Sequence, residues 1–356
     1  MIEIVKAISL KIATPEAVGS GIYLSKYHII VTLEHIIRDY REVIAEGIEI
    51  PRQLAKVIYT DPMLDLAFLR LDKPLSVNQP DLLADSKEDQ EISAFALSFT
   101  TGEISADGRI DIADFQYHGV PHVLHDALLD NSANGCGLFT ADGHLLGINS
   151  FIHWKGRDVG MALPISHVID AVEAYQTIDS NFVTRCPHCQ KLVGGEQLDK
   201  CEHCGNFLQV SDALSTYKPE GVALTIEGLL SSMGYALELS RIGHNHWQLL
   251  RGSASINITY FEKNGLIIGD AYMCKLPDRS NVALFEYLLR KNHEMENLTF
   301  SVKEDDVILS LLIYDRYLNE QTGTELLTNL LEKADYFDNI LVNDYQCLWR
   351  SSRKLT

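Results

Sequence analysis

Short apolar runs, broken every few positions by Gly, Asp or Asn, dominate residues 1–163. Gly21-Ile-Tyr-Leu, His28-Ile-Ile-Val-Thr, Leu66-Ala-Phe-Leu-Arg-Leu and His144-Leu-Leu-Gly-Ile-Asn are examples. Many short strands with turn signals between them predict a β-sandwich or barrel. The opening stretch, Met1-Ile-Glu-Ile-Val-Lys-Ala-Ile-Ser-Leu, reads as a first strand. At Pro164 the period changes. Ile165, Val168, Ile169 and Val172 recur at i, i+3, i+4 and i+7, which predicts a helix opened by the proline. A cysteine-bearing segment at 186–204 and a polar connector to about Glu220 follow.

Beyond that connector the texture is different. Leu224, Ile226, Leu229, Leu230 and Met233 predict a helix ended by Gly234. Strand-like runs follow at 235–242, 246–261 (with a kink near Gly252) and 265–272. A helix around Val282–Leu289 comes next, then alternating strands at 298–303 and 307–314. A last helix carries Leu326, Leu327, Leu330, Leu331, Ala334 and Phe337. The order α-β-β-β-α-β-β-α predicts an α+β domain with an antiparallel sheet.

Composition narrows the classes. Of 356 residues, 46% are hydrophobic, enough for a core in each unit without disulfides. A net charge of −19 argues against nucleic acid and against anionic membrane surfaces, because both are bound through Lys and Arg. No run of about 18 uncharged apolar residues is present, so no helix is expected to span a membrane. Four of seven cysteines form two Cys-x-x-Cys pairs; Cys136, Cys274 and Cys347 stand singly. With an amino terminus unlike a secretory signal, that pattern points to a reducing, cytoplasmic setting.

Three stretches fit the parts of serine-type hydrolysis, which needs a nucleophile, an imidazole base, an orienting carboxylate and backbone N–H groups for the oxyanion. They are Gly19-Ser-Gly-Ile-Tyr-Leu with Ile30-Val-Thr-Leu-Glu-His35, then Asp61-Pro-Met-Leu-Asp65-Leu-Ala, then Asp126 to Phe139 followed by Gly147-Ile-Asn. Together with Gly160-Met-Ala-Leu-Pro-Ile, this ordered set resembles the HtrA branch of the trypsin-like peptidases. The resemblance implies an all-β double barrel over residues 1–180, with His35 as general base and Asp65 as its orienting carboxylate.

The nucleophile position departs from the family. Counting back from Gly147, the serine of the resembling family falls on Asn134, with Gly135 beside it as an oxyanion donor. An amide nitrogen is not a nucleophile, so in this register the triad is inactive. A second register puts Cys136 there, as in the chymotrypsin-fold cysteine peptidases of viruses; a rearranged loop would instead bring in Ser132. Two functions stay open: a peptidase fold used for peptide or protein binding, and an endopeptidase acting on a specific partner.

Cys186-Pro-His-Cys189 and Cys201-Glu-His-Cys204 predict a structural zinc ribbon over 181–210, since each tight pair supplies two thiolates to a tetrahedral ion. His188 and His203 are expected to point away from the metal. The element order of 218–356 is similar to the YbjN and type III secretion chaperone group. That likeness implies a non-catalytic, partner-binding domain able to form a homodimer. The expectation is thus a multidomain chain: double barrel, ribbon, α+β domain, with a protein or peptide partner.

Overall fold

A computed structural model describes residues 2–82, 85–195, 198–208, 217–251, 254–277 and 281–350. The chain divides into two compact units, 1–216 and 217–356.

The first unit opens with a helix, α1 (Ile2–Ile8), before β1 (Ser9–Ala13). The expected first strand is therefore helical over most of its length. Val5 and Ile8, three apart, share the buried face, and the Ser9 hydroxyl closes the last turn on the Val5 carbonyl at 2.7 Å. Strands β2 (Val18–Leu24), β3 (Ile29–Thr32), β4 (Glu42–Gly47), β5 (Gln53–Asp61) and β6 (Leu66–Arg70) follow, with a single helical turn α2 (Glu34–Ile37) after β3. Their order is β5-β4-β1-β2-β3-β6, and pairing of β5 with β6 closes the barrel. All four residues of β3 are buried, so it runs as a continuous apolar strand instead of an alternating one.

The second barrel holds β7 (Glu91–Ser98), β8 (Gly102–Tyr117), β9 (Val120–His125), β10 (Gly137–Thr140), β11 (Leu145–Trp154) and β12 (Arg157–Pro164). It is closed in the order β10-β11-β12-β9-β8-β7. The predicted helix is α3 (Ile165–Gln176), with Ile165, Val168, Ala171, Val172 and Tyr175 inward. Two antiparallel six-stranded barrels make this a trypsin-like double β-barrel.

The cysteine segment belongs to the first unit instead of standing apart. Its hairpin, β13 (Val183–Arg185) and β14 (Leu192–Gly194), joins the first barrel's sheet, because β13 pairs parallel with β5. Cys186, Val193, Leu198, Cys201 and Leu208 share that barrel's core.

The second unit contains α4 (Gly221–Ser232), α5 (Leu237–Ser240), β15 (His246–Arg251), β16 (Ala254–Phe261), β17 (Leu266–Lys275), α6 (Val282–Glu294), β18 (Leu298–Lys303), β19 (Asp306–Tyr314), α7 (Glu320–Tyr345) and β20 (Leu348–Trp349). The antiparallel sheet runs β15-β16-β17-β19-β18, with β20 on the end of β17. Leu330, Leu331, Ala334, Phe337 and Leu341 of α7 lie in one core with Ile267, Ala271 and Leu309 of the sheet. As expected, Gly234 ends α4: it adopts φ +85°, and the next N–H, from Tyr235, returns to Leu230 O at 3.0 Å.

Two strand expectations are corrected here. Residues 235–242 carry a helical turn, α5, closed by Ser240 Oγ donating to Ala236 O at 2.8 Å, and Arg241 just after it bonds the buried carboxylate of Glu227 on α4 at 2.6 and 2.8 Å. The run 246–261 is a hairpin of two strands, paired up to Arg251 and Ala254; the predicted kink at Gly252 lies outside the described residues.

Candidate functional site

His35 sits on α2, the turn that leaves β3, and Asp65 sits on the turn between β5 and β6 at φ +49°. Asp65 Oδ2 lies 2.7 Å from His35 Nδ1, and Asp65 Oδ1 accepts the His35 backbone N–H at 2.9 Å. A third bond runs from the Glu34 N–H to Asp65 O at 3.1 Å. One carboxylate thus fixes the ring's tautomer and the turn that carries it, with the Nδ1 proton facing Asp65. The hydrogen bond to Asp65 raises the His35 pKa above its ordinary 6.5, against the lowering effect of partial burial.

A sequence reading did not single out Asp61, which builds the Asp65 turn. Its side chain is fully buried, and Oδ1 accepts the N–H groups of Met63 and Leu64 at 3.1 and 3.2 Å. This is a side-chain cap of the turn, of the kind Asp favours. The Asp-Pro pair was the available signal.

On the opposite wall, the segment expected to carry the nucleophile forms a 3₁₀ turn at Asn131–Ala133, capped by Asp130. Asn134 is half-buried; its Oδ1 accepts the Phe151 N–H of β11 at 2.8 Å, and its carbonyl accepts the Ser20 N–H at 2.7 Å. The backbone N–H groups of residues 132–136 are all engaged. Ser132 donates to Asp130 Oδ1 at 2.8 Å, Ala133 to Asp130 O at 3.0 Å, and Asn134 to Asn131 O at 3.2 Å. Gly135, expected as the oxyanion donor, gives its N–H to Asn149 O at 2.8 Å, and Cys136 donates to Ala133 O at 2.9 Å. Gly135 has φ +91°, and a Cβ there would overlap the Ser20 carbonyl oxygen, so the position requires glycine.

Cys136 is fully buried, and burial pushes its thiol up to about 12. Its Sγ accepts from Asn149 Nδ2 at 3.4 Å, while Asn149 Oδ1 lies 2.8 Å from His125 Nε2. With that amide orientation, His125 Nε2 carries the proton, and burial lowers the ring's pKa, keeping it neutral. Asn149 also pairs through its backbone with both Gly135 and Cys136. It organises the whole turn, and the Gly-Ile-Asn motif was its trace in the sequence. Ser132 turns its hydroxyl onto Asp130 Oδ1.

The four remaining site residues converge. The ligand atoms of Cys186, Cys189, Cys201 and Cys204 all lie within 4.8 Å of one another, a set that could bind a metal ion. The two loops repeat one geometry: Gln190 N–H returns to Cys186 O and Gly205 N–H to Cys201 O, both at 2.8 Å, with Gln190 and Gly205 at φ +62° and +73°. His188 is exposed, and His203 Nε2 faces Leu192 O at 3.3 Å, away from the thiols.

Residues 19–148 match the trypsin-like peptidase domain family. A probable periplasmic serine endoprotease, DegP-like, from Pseudomonas fluorescens is 31% identical over 172 residues, covering 46% of this chain and 36% of the relative. One of the same description from Bartonella henselae is 32% identical over 183 residues, covering 48% and 35%. The serine endoprotease from Yersinia pestis, a solved structure, is 19% identical with a TM-score of 0.44, covering 49% of this chain and 64% of its own. These likenesses in sequence support the HtrA-like, trypsin-type family for the first unit. The chain spans about a third of the length of these curated relatives.

The relatives' names also overturn an expectation: they are called periplasmic, which points away from a cytoplasmic chain. The cytoplasmic reading rests on the amino terminus and on the pattern of cysteines, neither of which fixes a compartment. Four of the cysteines form one cluster, and Cys136, Cys274 and Cys347 are buried.

Proposed function

We propose that the first unit is a trypsin-like fold that binds an extended protein or peptide segment without cutting it. The observation that carries this reading is the state of the 132–136 turn. In the register that puts Asn134 at the nucleophile position, its side chain is tied to β11, and each N–H from Ser132 to Cys136 already has an acceptor. In this reading Asn134 offers His35 and Asp65 neither a hydroxyl nor a thiol to activate. The Cys136 alternative is disfavoured because a thiol pushed up to about 12 and fully buried is neither a thiolate nor accessible. Binding would use main-chain pairing along a strand edge.

Zinc is the metal we assign to the four cysteines. An all-thiolate set suits it, and the Sγ–Sγ distances of 3.6 and 3.7 Å match the edges of a tetrahedron with Zn–S of about 2.3 Å. Bound there, it would stabilise the local fold and take no part in a reaction.

Fluorescein-labelled casein and its peptides test the functional reading. Binding by anisotropy with the peptides recovered intact is the expected result. Asn134→Ser alone should add little turnover, since oxyanion donors are also needed and each is worth about 10²–10³ in kcat. Cleavage by the wild type, abolished by Cys136→Ala or Ser132→Ala, would overturn the reading.

A further inference from the structure

Arg185 directly precedes Cys186 and links the cysteine cluster to the histidine across the first barrel's sheet. Its Nη1 donates to Gln190 O, inside the first cysteine loop, at 2.9 Å. Its Nε donates to Asp61 Oδ2 at 2.6 Å, and the Tyr59 hydroxyl donates to the same oxygen at 2.8 Å. The other oxygen of Asp61 caps the turn that ends at Asp65, and Asp65 holds His35. A hydrogen-bonded path thus runs from the cysteine loop through Arg185, Asp61 and the 61–65 turn to the imidazole. A second tie lies beside it: β13 pairs with β5 at Val183↔Tyr59 and Thr184↔Thr60, and the two threonine hydroxyls are 2.8 Å apart.

We propose that the cysteine segment, with metal holding its two loops, acts as a brace that sets the position of Asp65 and hence the orientation of His35, with Arg185 and Asp61 as positioning residues. Asp61 is fully buried, and its Oδ2 is paired with the Arg185 guanidinium. Removing one partner of a buried pair leaves the other unpaired in a poor solvent for charge, and the chain rearranges to relieve it. Metal loss acts on the same link. The Gln190 carbonyl is aimed by a left-handed residue in a loop closed on Cys186, and such loops hold their form when their thiolates share an ion. The inference rests on the two assignments above, of His35–Asp65 as the family's pair and of the cysteines as a metal site. It does not depend on whether peptides are cut.

His35 titration reads the brace directly. The charged groups that act on His35 are Asp65, Glu34 and Arg38, and none lies on the cysteine segment. Loss of the hydrogen-bonded Nδ1 proton, and not a shifted midpoint alone, therefore reports a change of geometry on metal removal. The test is NMR of the histidine side chains in the full, zinc-loaded chain, with His35 assigned by His35→Gln. The wild type should titrate above 6.5 and show a hydrogen-bonded Nδ1 proton. Arg185→Gln, and separately chelation of zinc from the wild type, should lower the midpoint toward that of Asp65→Asn and lose that proton. Arg185→Lys should retain most of both. An unchanged midpoint and Nδ1 proton in Arg185→Gln with intact circular dichroism would overturn the proposal, as would an unchanged signal after chelation. The two arms are independent, so a variant that fails to fold leaves the chelation arm decisive. Cleavage of casein would defeat the binding reading while leaving this result standing.

Discussion

The two walls of the candidate site are built from opposite materials. On the first barrel, His35 and Asp65 are each 41% exposed at the side chain and are held by short bonds from α2 to a capped turn. On the second barrel, Gly135 and Cys136 are buried, and the 132–136 amides bond to nearby chain carbonyls and to Asp130. An exposed pair on a rigid frame can meet a ligand. A buried turn with its donors satisfied behaves as part of the core. The first wall offers an exposed, hydrogen-bonded His35–Asp65 pair; the second offers a buried turn whose donors are satisfied within the fold.

That contrast predicts unequal costs of mutation. Gly135→Ala should be the most damaging, about 3 kcal/mol or more, because a Cβ meets the Ser20 carbonyl at a backbone angle that L residues rarely adopt. Urea unfolding followed by tryptophan fluorescence would measure it, and a loss below about 1 kcal/mol would mean the turn is adjustable after all. Cys136→Ala should cost about 1–2 kcal/mol, since it leaves a small void and takes the sulfur from Asn149 Nδ2. The matching chemical test is iodoacetamide. The native Cys136 thiol should react far more slowly than in urea, and fast native labelling would place it on the open side of the comparison.

Asp65→Asn should have the smallest effect, under about 1 kcal/mol, because the pair is well exposed to solvent. Its size depends on pH. The His35 pKa is raised in the fold, so the stabilisation from Asp65 is complete below the ordinary 6.5 and disappears as pH rises through the raised value. Melting temperatures of wild type and Asp65→Asn should therefore differ at pH 5.5 and converge by about pH 9. A gap that widens with pH would show that the ring is not the group involved.

Much of the protein was legible in order and spacing. The sequence Thr32 to His35, then Asp65, then the turn before Gly147 marked one wall and located the other. Paired cysteines separated by eleven residues announced a four-thiol cluster, and periods of 3.6 and 2 laid out most of the second unit. These are local signals, carried by neighbours within a strand, a turn or a helix face.

What remained hidden depends on partners far apart in the chain. Residues 2–8 form a helix that buries Val5 and Ile8 where a strand was expected, and the helical turn at 237–240 leads into Arg241, which reaches Glu227 on another helix. The fate of the Gly135 N–H was decided by Asn149, and the place of Asp61 by Arg185, 124 residues away. A pattern of residue types shows what each group can do. Which groups have already found a partner is settled only when the chain closes on itself, since a buried donor or charge takes whichever acceptor the packing brings to it.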